Sequence, residues 1–241
     1  MTLVVGIVAE GSTDIVVIQE YLSSWMNRHG EDVSVEIVAL QPQLDATSGR
    51  YGDGGWTFVK TWCEDNPAHL RSLEFAPLFE GDAPMDFLIV QLDGDRIDDY
   101  TRDHPDISLA GNLDARRRGQ IVEEVLKRWL WGPDPRRAAD PNEARHCLVA
   151  TVRSLETWLV AGLDTSVVDP EEIEDPELEL MKLEPRLDTK VVGGVTRLKK
   201  NRPSWEGLAK RTTGSLEHIR TSCYHCGKLL AYADGARNRE A

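Results

Sequence analysis

The chain has little of what would set a special fold or destination. Four cysteines (Cys63, Cys147, Cys223, Cys226) in 241 residues are too few for a disulfide framework, so they are read as reduced thiols and the core must hold the fold. No apolar run approaches the roughly 20 residues that a bilayer crossing takes. The longest, such as Leu3–Ala9 and Phe87–Val90, are strand-sized, and no membrane association is expected. The amino terminus runs straight into such a segment without a basic leader, so the expected location is cytoplasmic. No Gly-x-x-x-x-Gly-Lys-Ser/Thr loop occurs, which excludes the familiar P-loop route to ATP hydrolysis within this chain. Positive charge is scarce in one region only: residues 1–100 hold 5 Lys/Arg against 18 Asp/Glu, and 101–241 hold 23 against 23, so the whole net charge of −13 lies in the first hundred. Such an acidic region can concentrate cations ahead of an anionic substrate.

What is present suffices for a core, since 41% of the residues are hydrophobic, and their pattern is that of an α/β protein. Leu3–Ala9 is a β-branched run that reads as a buried strand. Ser12 and Thr13 are candidate N-caps for a helix carrying Ile15, Ile18, Leu22 and Trp25 or Met26 at helical spacing. Val33–Leu40 predicts a second strand, Phe87–Leu92 a third and Arg145–Val152 a fourth. Ser48–Gly55 reads as a loop, Leu113–Trp131 as a long amphipathic helix, and Ser154–Ala161 as a capped helix start. Strands alternating with helices predict a mostly parallel sheet with helices on both faces. Residues 164–184 turn acidic and Pro-containing and read as an exposed, partly helical excursion. Arg186–Arg211 is the one basic tract, and Leu216–Ala233 suits one or two short helices. The expected division is 1–162 as the main domain and 163–241 as a smaller, mainly helical extension.

Ligands of open α/β sheets sit beyond the carboxyl ends of the strands, and here three such ends carry acids. Glu10 ends the first strand with Asp14 four residues on; Asp93 and Asp95 end the third; Glu156 follows the fourth after Ser154-Leu155. Each acid has an ordinary explanation as well. Asp14 suits its own helix terminus, Asp93-Gly94-Asp95 a simple turn, and Glu156 the positive end of a helix. Their joint placement favours a shared site, and gathered carboxylates call for a hard divalent cation such as Mg²⁺ or Mn²⁺.

These residues resemble a known family. Glu10-Gly-Ser-Thr-Asp14 after a first strand, then Asp93-Gly-Asp95 after a hydrophobic strand, look like the Toprim domain of topoisomerases, bacterial primases and related nucleases. Ser154-Leu-Glu156 is similar to the Ser-x-Glu element of nucleases of the overcoming-lysogenization-defect class. The stretch Glu156–Ala161 resembles stand-alone Toprim-like proteins encoded beside ATPases in bacterial defence loci. The resemblance covers residues 1–162 and implies a metal-dependent nuclease that nicks or cleaves DNA, with RNA as a further substrate class. Two ions would be held by Glu10, Asp14, Asp93, Asp95, Ser154 and Glu156, with Glu10, Asp93, Asp95 and Glu156 catalytic. A late lysine, Lys199 or Lys200 here, would stabilise developing charge. The alternative it leaves is a nucleotide- or nucleic-acid-sensing subunit active only with a partner ATPase.

No tyrosine occupies a defensible nucleophile position, so hydrolysis is expected rather than strand passage. A phosphate-receiving signalling domain or an aspartyl phosphatase would carry its acids after the first strand, unlike the Asp-x-Asp here. Cys223-Tyr-His-Cys226 lacks the second ligand pair of a structural zinc site and is read as buried thiols. Trp25, Trp129 and Trp158 should pack; Trp56, beside Gly54-Gly55, is either a loop anchor or a base-stacking ring. His104 and His146 are assigned no role.

Overall fold

The computed structural model describes every residue except 1, 29–32, 46–49, 53, 67–84, 112, 133–144 and 241, so part of the expected loop 48–55 lies outside the described residues. Four strands form one parallel sheet: β1 (Thr2–Val8), β2 (Ser34–Gln41), β3 (Phe87–Asp93) and β4 (His146–Thr151), in the spatial order β2-β1-β3-β4. All of β3 and β4, and β1 beyond Thr2, are buried, which is why they read as continuous apolar runs. The edge strand β2 is only partly covered and keeps a rougher alternation. From β1 the chain moves outward to β2 and then returns to the other side of β1 to lay down β3. The C-terminal ends of β1 and β3 therefore flank a topological switch point, where the crevice of an open α/β sheet forms.

Alternation along β1 builds two apolar layers. Leu3, Val5 and Ile7 face one, and Val4 and Val8 the other. The second layer is covered by α2 (Trp56–Asp65), the single turn α3 (Ile97–Tyr100) and α4 (Ala115–Trp131). Helix α4 has its expected apolar face; its N-cap Asp114 accepts the Arg117 N–H at 2.7 Å, and Gly132 closes its C-terminus at φ +76°. The first layer is covered by α1 (Ser12–Asn27) and α5 (Glu156–Leu163), joined by much of the C-terminal segment. That segment comprises α6 (Pro176–Leu183), a hairpin of β5 (Thr189–Val192) and β6 (Val195–Leu198), then α7 (Arg202–Thr212), α8 (Leu216–Ser222) and α9 (Tyr224–Glu240). Trp205, Leu208, Ile219 and Leu229 share one apolar cluster with β1 and α1. The Tyr21 and Thr212 hydroxyls are 2.8 Å apart, and Trp25 donates to Asp234 at 3.0 Å. The helical extension thus packs onto the sheet as its covering layer.

Two expected caps are corrected. Ser12 and Thr13 are the first helical residues of α1, whose N-cap is Gly11 with no side-chain cap bond. The N-cap of α5 is Leu155 rather than Ser154, with no side-chain cap bond. The four cysteines are free and buried, and Trp25, Trp129 and Trp158 are core residues. Trp56 packs against Tyr100 and Trp129, with ring centroids 5.4 and 6.4 Å away, as a loop anchor would. Among the described residues no helix is long and apolar enough to cross a membrane.

Candidate functional site

The carboxylates arrive at the switch point from separate strands. Glu10 lies two residues past β1, and its Oε1 accepts the Asp93 N–H at 2.7 Å and the Tyr100 hydroxyl at 3.3 Å. Its own N–H donates to Gln91 Oε1 at 3.2 Å, and its carbonyl accepts the Gly55 N–H at 2.6 Å. Gly54 lies so close that an added Cβ would come within 2.2 Å of the Glu10 carbonyl oxygen. The glycine-rich loop before α2 therefore clamps the Glu10 turn.

Asp93 closes β3 and is fixed by neighbours across the sheet. Its Oδ1 accepts from Gln91 Nε2 at 2.8 Å and from the Thr151 hydroxyl. Gly94 then runs against the exit of β4: its N–H donates to the Thr151 carbonyl at 2.8 Å, and a Cβ would stand 2.2 Å from the Val152 carbonyl oxygen. The Asp-Gly-Asp element is thus a close backbone crossing rather than a free turn, and it delivers Asp95 to the exposed lip.

Asp14 serves two purposes. The Gly11 N–H and the Thr13 hydroxyl favour its charged form, which is the ordinary setting of an acid in a first helical turn. Its Oδ1, however, is buried with no hydrogen-bond partner among the described residues. Glu156 is 2% exposed. Its Oε1 pairs with Lys200 Nζ at 2.7 Å, while its Oε2 is buried and equally without a hydrogen-bond partner. The Lys200 ammonium also sits 5.5 Å from the Trp205 ring.

The electrostatics follow this layout. Burial, with the charges of Asp14 and Asp95, pushes Glu10 up to about 8 despite its two donors. Burial raises Asp93 well above the usual carboxylate range, with Glu10 and Asp14 adding to it. Asp14 is pushed up to about 6 by burial, against the pull of Lys200. Asp95 is raised by desolvation, opposed by Arg96 and Lys200. Burial would raise Glu156 too, but the ammonium of Lys200 overrides it and holds this carboxyl below its ordinary value. Lys200 is in turn raised: desolvation opposes its charge, and Glu156, Asp14 and Asp93 more than compensate.

Asp93, Asp95, Ser154, Glu156 and Lys200 line a cleft of about 320 Å³, which Glu174, Glu177 and Arg197 complete from the C-terminal segment. Glu10 and Asp14 are outside its lining. Lys199, the other expected candidate, is not among its lining residues; its side chain is exposed, and its N–H donates to the Asp188 carbonyl at 2.7 Å. Sequence reasoning missed Tyr100, Gln91 and Thr151, which orient Glu10 and Asp93. Gln91 alone left a signal, as a polar residue inside an apolar strand.

The donor set suits a hard divalent cation in kind and in charge: carboxylate oxygens in excess, two of them buried and without a hydrogen-bond partner among the described residues. Among the described residues, though, no three acidic, His or Cys side chains are arranged as ligands around one point. Glu10, Asp93 and Glu156 have oxygens turned onto donors of the chain itself, and these must reorient to receive an ion. Compared with known protein families, with curated proteins and with solved structures, the chain matches none.

Proposed function

We propose that the chain is a divalent-metal-dependent nuclease that nicks or cleaves DNA by phosphodiester hydrolysis. One observation carries this reading: acids follow three parallel strand ends beside the Lys200 ammonium, and Asp14 Oδ1 and Glu156 Oε2 lie buried without a hydrogen-bond partner among the described residues. Asp14, Asp93 and Glu156 would hold one Mg²⁺ or Mn²⁺, and Glu10, Asp93 and Asp95 a second. Bound there, such ions supply Lewis-acid polarisation of a phosphate and activation of water. The chain's own groups do the rest. Tyr100 and the Asp93 N–H orient Glu10, Thr151 and Gln91 orient Asp93, and Lys200 brings positive charge to the cleft where a phosphate would sit.

The test is supercoiled plasmid with purified protein and Mg²⁺ or Mn²⁺. Nicked or linear product should form, stop with chelator, and fall about 100-fold or more in Glu10→Ala and Asp93→Ala. Cutting that persists in both variants would overturn the reading. The second reading, a subunit active only with a partner ATPase, is favoured by the way the site oxygens close on donors of the chain itself. It predicts metal binding by the isolated protein without plasmid cutting.

A further inference from the structure

The hairpin of β5 and β6 stands beside the cleft and has no part in the chemistry above. Its turn, Gly193-Gly194, takes φ +57° and +81°, the left-handed pair that a two-residue hairpin turn demands. The register sets Lys190 opposite Arg197 and Val192 opposite Val195. Alternate residues of a strand share a face, so these four occupy one face, with the cations toward the base and the valines at the tip. Val192 and Val195 are 54% and 52% exposed, and Val191 on the opposite face 72%. Directly opposed like charges destabilise a strand pair, and exposed apolar clusters on a soluble surface mark contact sites. Arg197 is balanced by Glu177 at 3.1 Å. Lys190 and Lys199 have no ion pair among the described residues.

Arg197 also lines the acid cleft together with Lys200. The face that carries Lys190 and the two valines therefore continues outward from the cleft, and at roughly 3.3 Å per residue its tip stands about 7 Å beyond Arg197. We propose that this hairpin is the contact through which the cleft engages duplex DNA, with Lys190 and Lys199 on phosphates and the valine tip in the major groove. This rests on the nuclease reading for its purpose and deepens it by naming the substrate form. Unbalanced positive charge selects an anionic partner. A two-stranded ribbon fits the major groove, where valine methyls can meet thymine methyls. Residues 186–201 contain no aromatic ring, so the segment offers no stacking platform for single strands.

The experiment is fluorescence anisotropy of a short labelled duplex with the full chain, in chelator and across a salt series, with cutting of the same duplex in Mn²⁺ read separately. Lys190→Ala with Lys199→Ala should weaken binding about 10-fold and lower the slope of log affinity against log salt by about 2. Val192→Ser with Val195→Ser should weaken binding several-fold at unchanged slope and unchanged melting temperature, because the tip lies outside the core. Unchanged binding in both variants overturns the proposal, as does a single strand bound as tightly as the duplex. So does a valine variant that loses phosphatidylglycerol vesicles while keeping the duplex, which would assign the tip to a membrane surface. Cutting that is indifferent to the hairpin removes the contact and leaves the nuclease reading. Hairpin-dependent binding without cutting in any metal upholds the contact and removes the nuclease.

Discussion

On one side of the acid rim, Glu156 lies 2.7 Å from Lys200 and its carboxyl is held below the ordinary value; on the other, Glu10 and Asp93 have no bonded ammonium among the described residues, the pull of Lys200 on Asp93 does not offset its burial, and both are pushed up, Glu10 to about 8. Burial does not separate the two sides, since Glu156 is 2% exposed and Asp93 7%. The supply of positive charge does. Asp14, within reach of Lys200 but not bonded to it, falls between, at about 6. Among the described residues the ammonium bonded to a site carboxylate, Lys200, is on the α5 side, and Arg153 and Arg197 also line the cleft. The charge still missing belongs at the ends of β1 and β3, where a bound ion would supply it.

The largest expected effect uses the opposite pH signs of the two sides, measured in chelator as the urea midpoint. Glu10 has its folded value, about 8, above the ordinary 4.5. The folded state therefore keeps a proton that the unfolded chain releases, and the stability Glu10 contributes is full below pH 4.5 and lost as pH rises to 8. Glu156, held below 4.5, contributes stability above that pH and loses it as pH falls through its folded value. Glu10→Gln should flatten the decline between pH 4.5 and 8 and be the more stable protein at pH 8, on the order of 2–4 kcal/mol. Glu156→Gln should change the acid limb only. If both variants shift the same limb, the two sides are one titrating unit and the comparison fails.

Next in size is removal of the cation. Breaking a buried ion pair costs about 3–5 kcal/mol, but the Lys200 side chain is 42% exposed, and solvent screening brings the expected loss for Lys200→Met to about 2 kcal/mol. Glu156→Gln in the same chain should recover most of it, because the carboxylate left unpaired is then gone. Mn²⁺ should stabilise Lys200→Met more than the parent, since the ion would replace the missing ammonium. Equal stabilisation of the two would place ion binding away from Glu156.

The sheet and the convergence were legible for a definite reason. Strands buried on both faces must be apolar throughout, so Leu3–Ala9, Phe87–Leu92 and Arg145–Val152 mark β1, β3 and β4 to within a few residues. A parallel sheet then obliges the acids that follow those strands to share one rim. What holds the acids there was not legible. Tyr100 reaches Glu10 from 90 residues away and Thr151 reaches Asp93 from 58, and nothing in local pattern specifies such pairs. Gly94 looked like turn chemistry because its real constraint, the Val152 carbonyl of a neighbouring strand, is tertiary. The hairpin carries its own signal, since Val191-Val-Gly-Gly-Val195 has two β-branched ends about a Gly-Gly turn, but it lies inside the Arg186–Arg211 tract, where the density of charge masks the strand pattern.

The smallest expected effect separates two adjacent lysines that composition treats as equal. After β6 the chain turns into α7, whose N-cap Asn201 accepts the Ser204 N–H at 3.1 Å. The Lys199 N–H is fixed to the Asp188 carbonyl. Lys200 enters the cleft and meets Glu156, and Lys199 is left in solvent. Lys199→Ala alone should therefore leave the urea midpoint within about 0.5 kcal/mol of the parent and leave the acid and alkaline limbs where they were, while Lys200→Met moves both stability and the Glu156 limb. A Lys199 variant as destabilised as the Lys200 variant would mean that the basic tract acts through its total charge, and that the contrast between the two sides of the rim does not depend on one ammonium in one place.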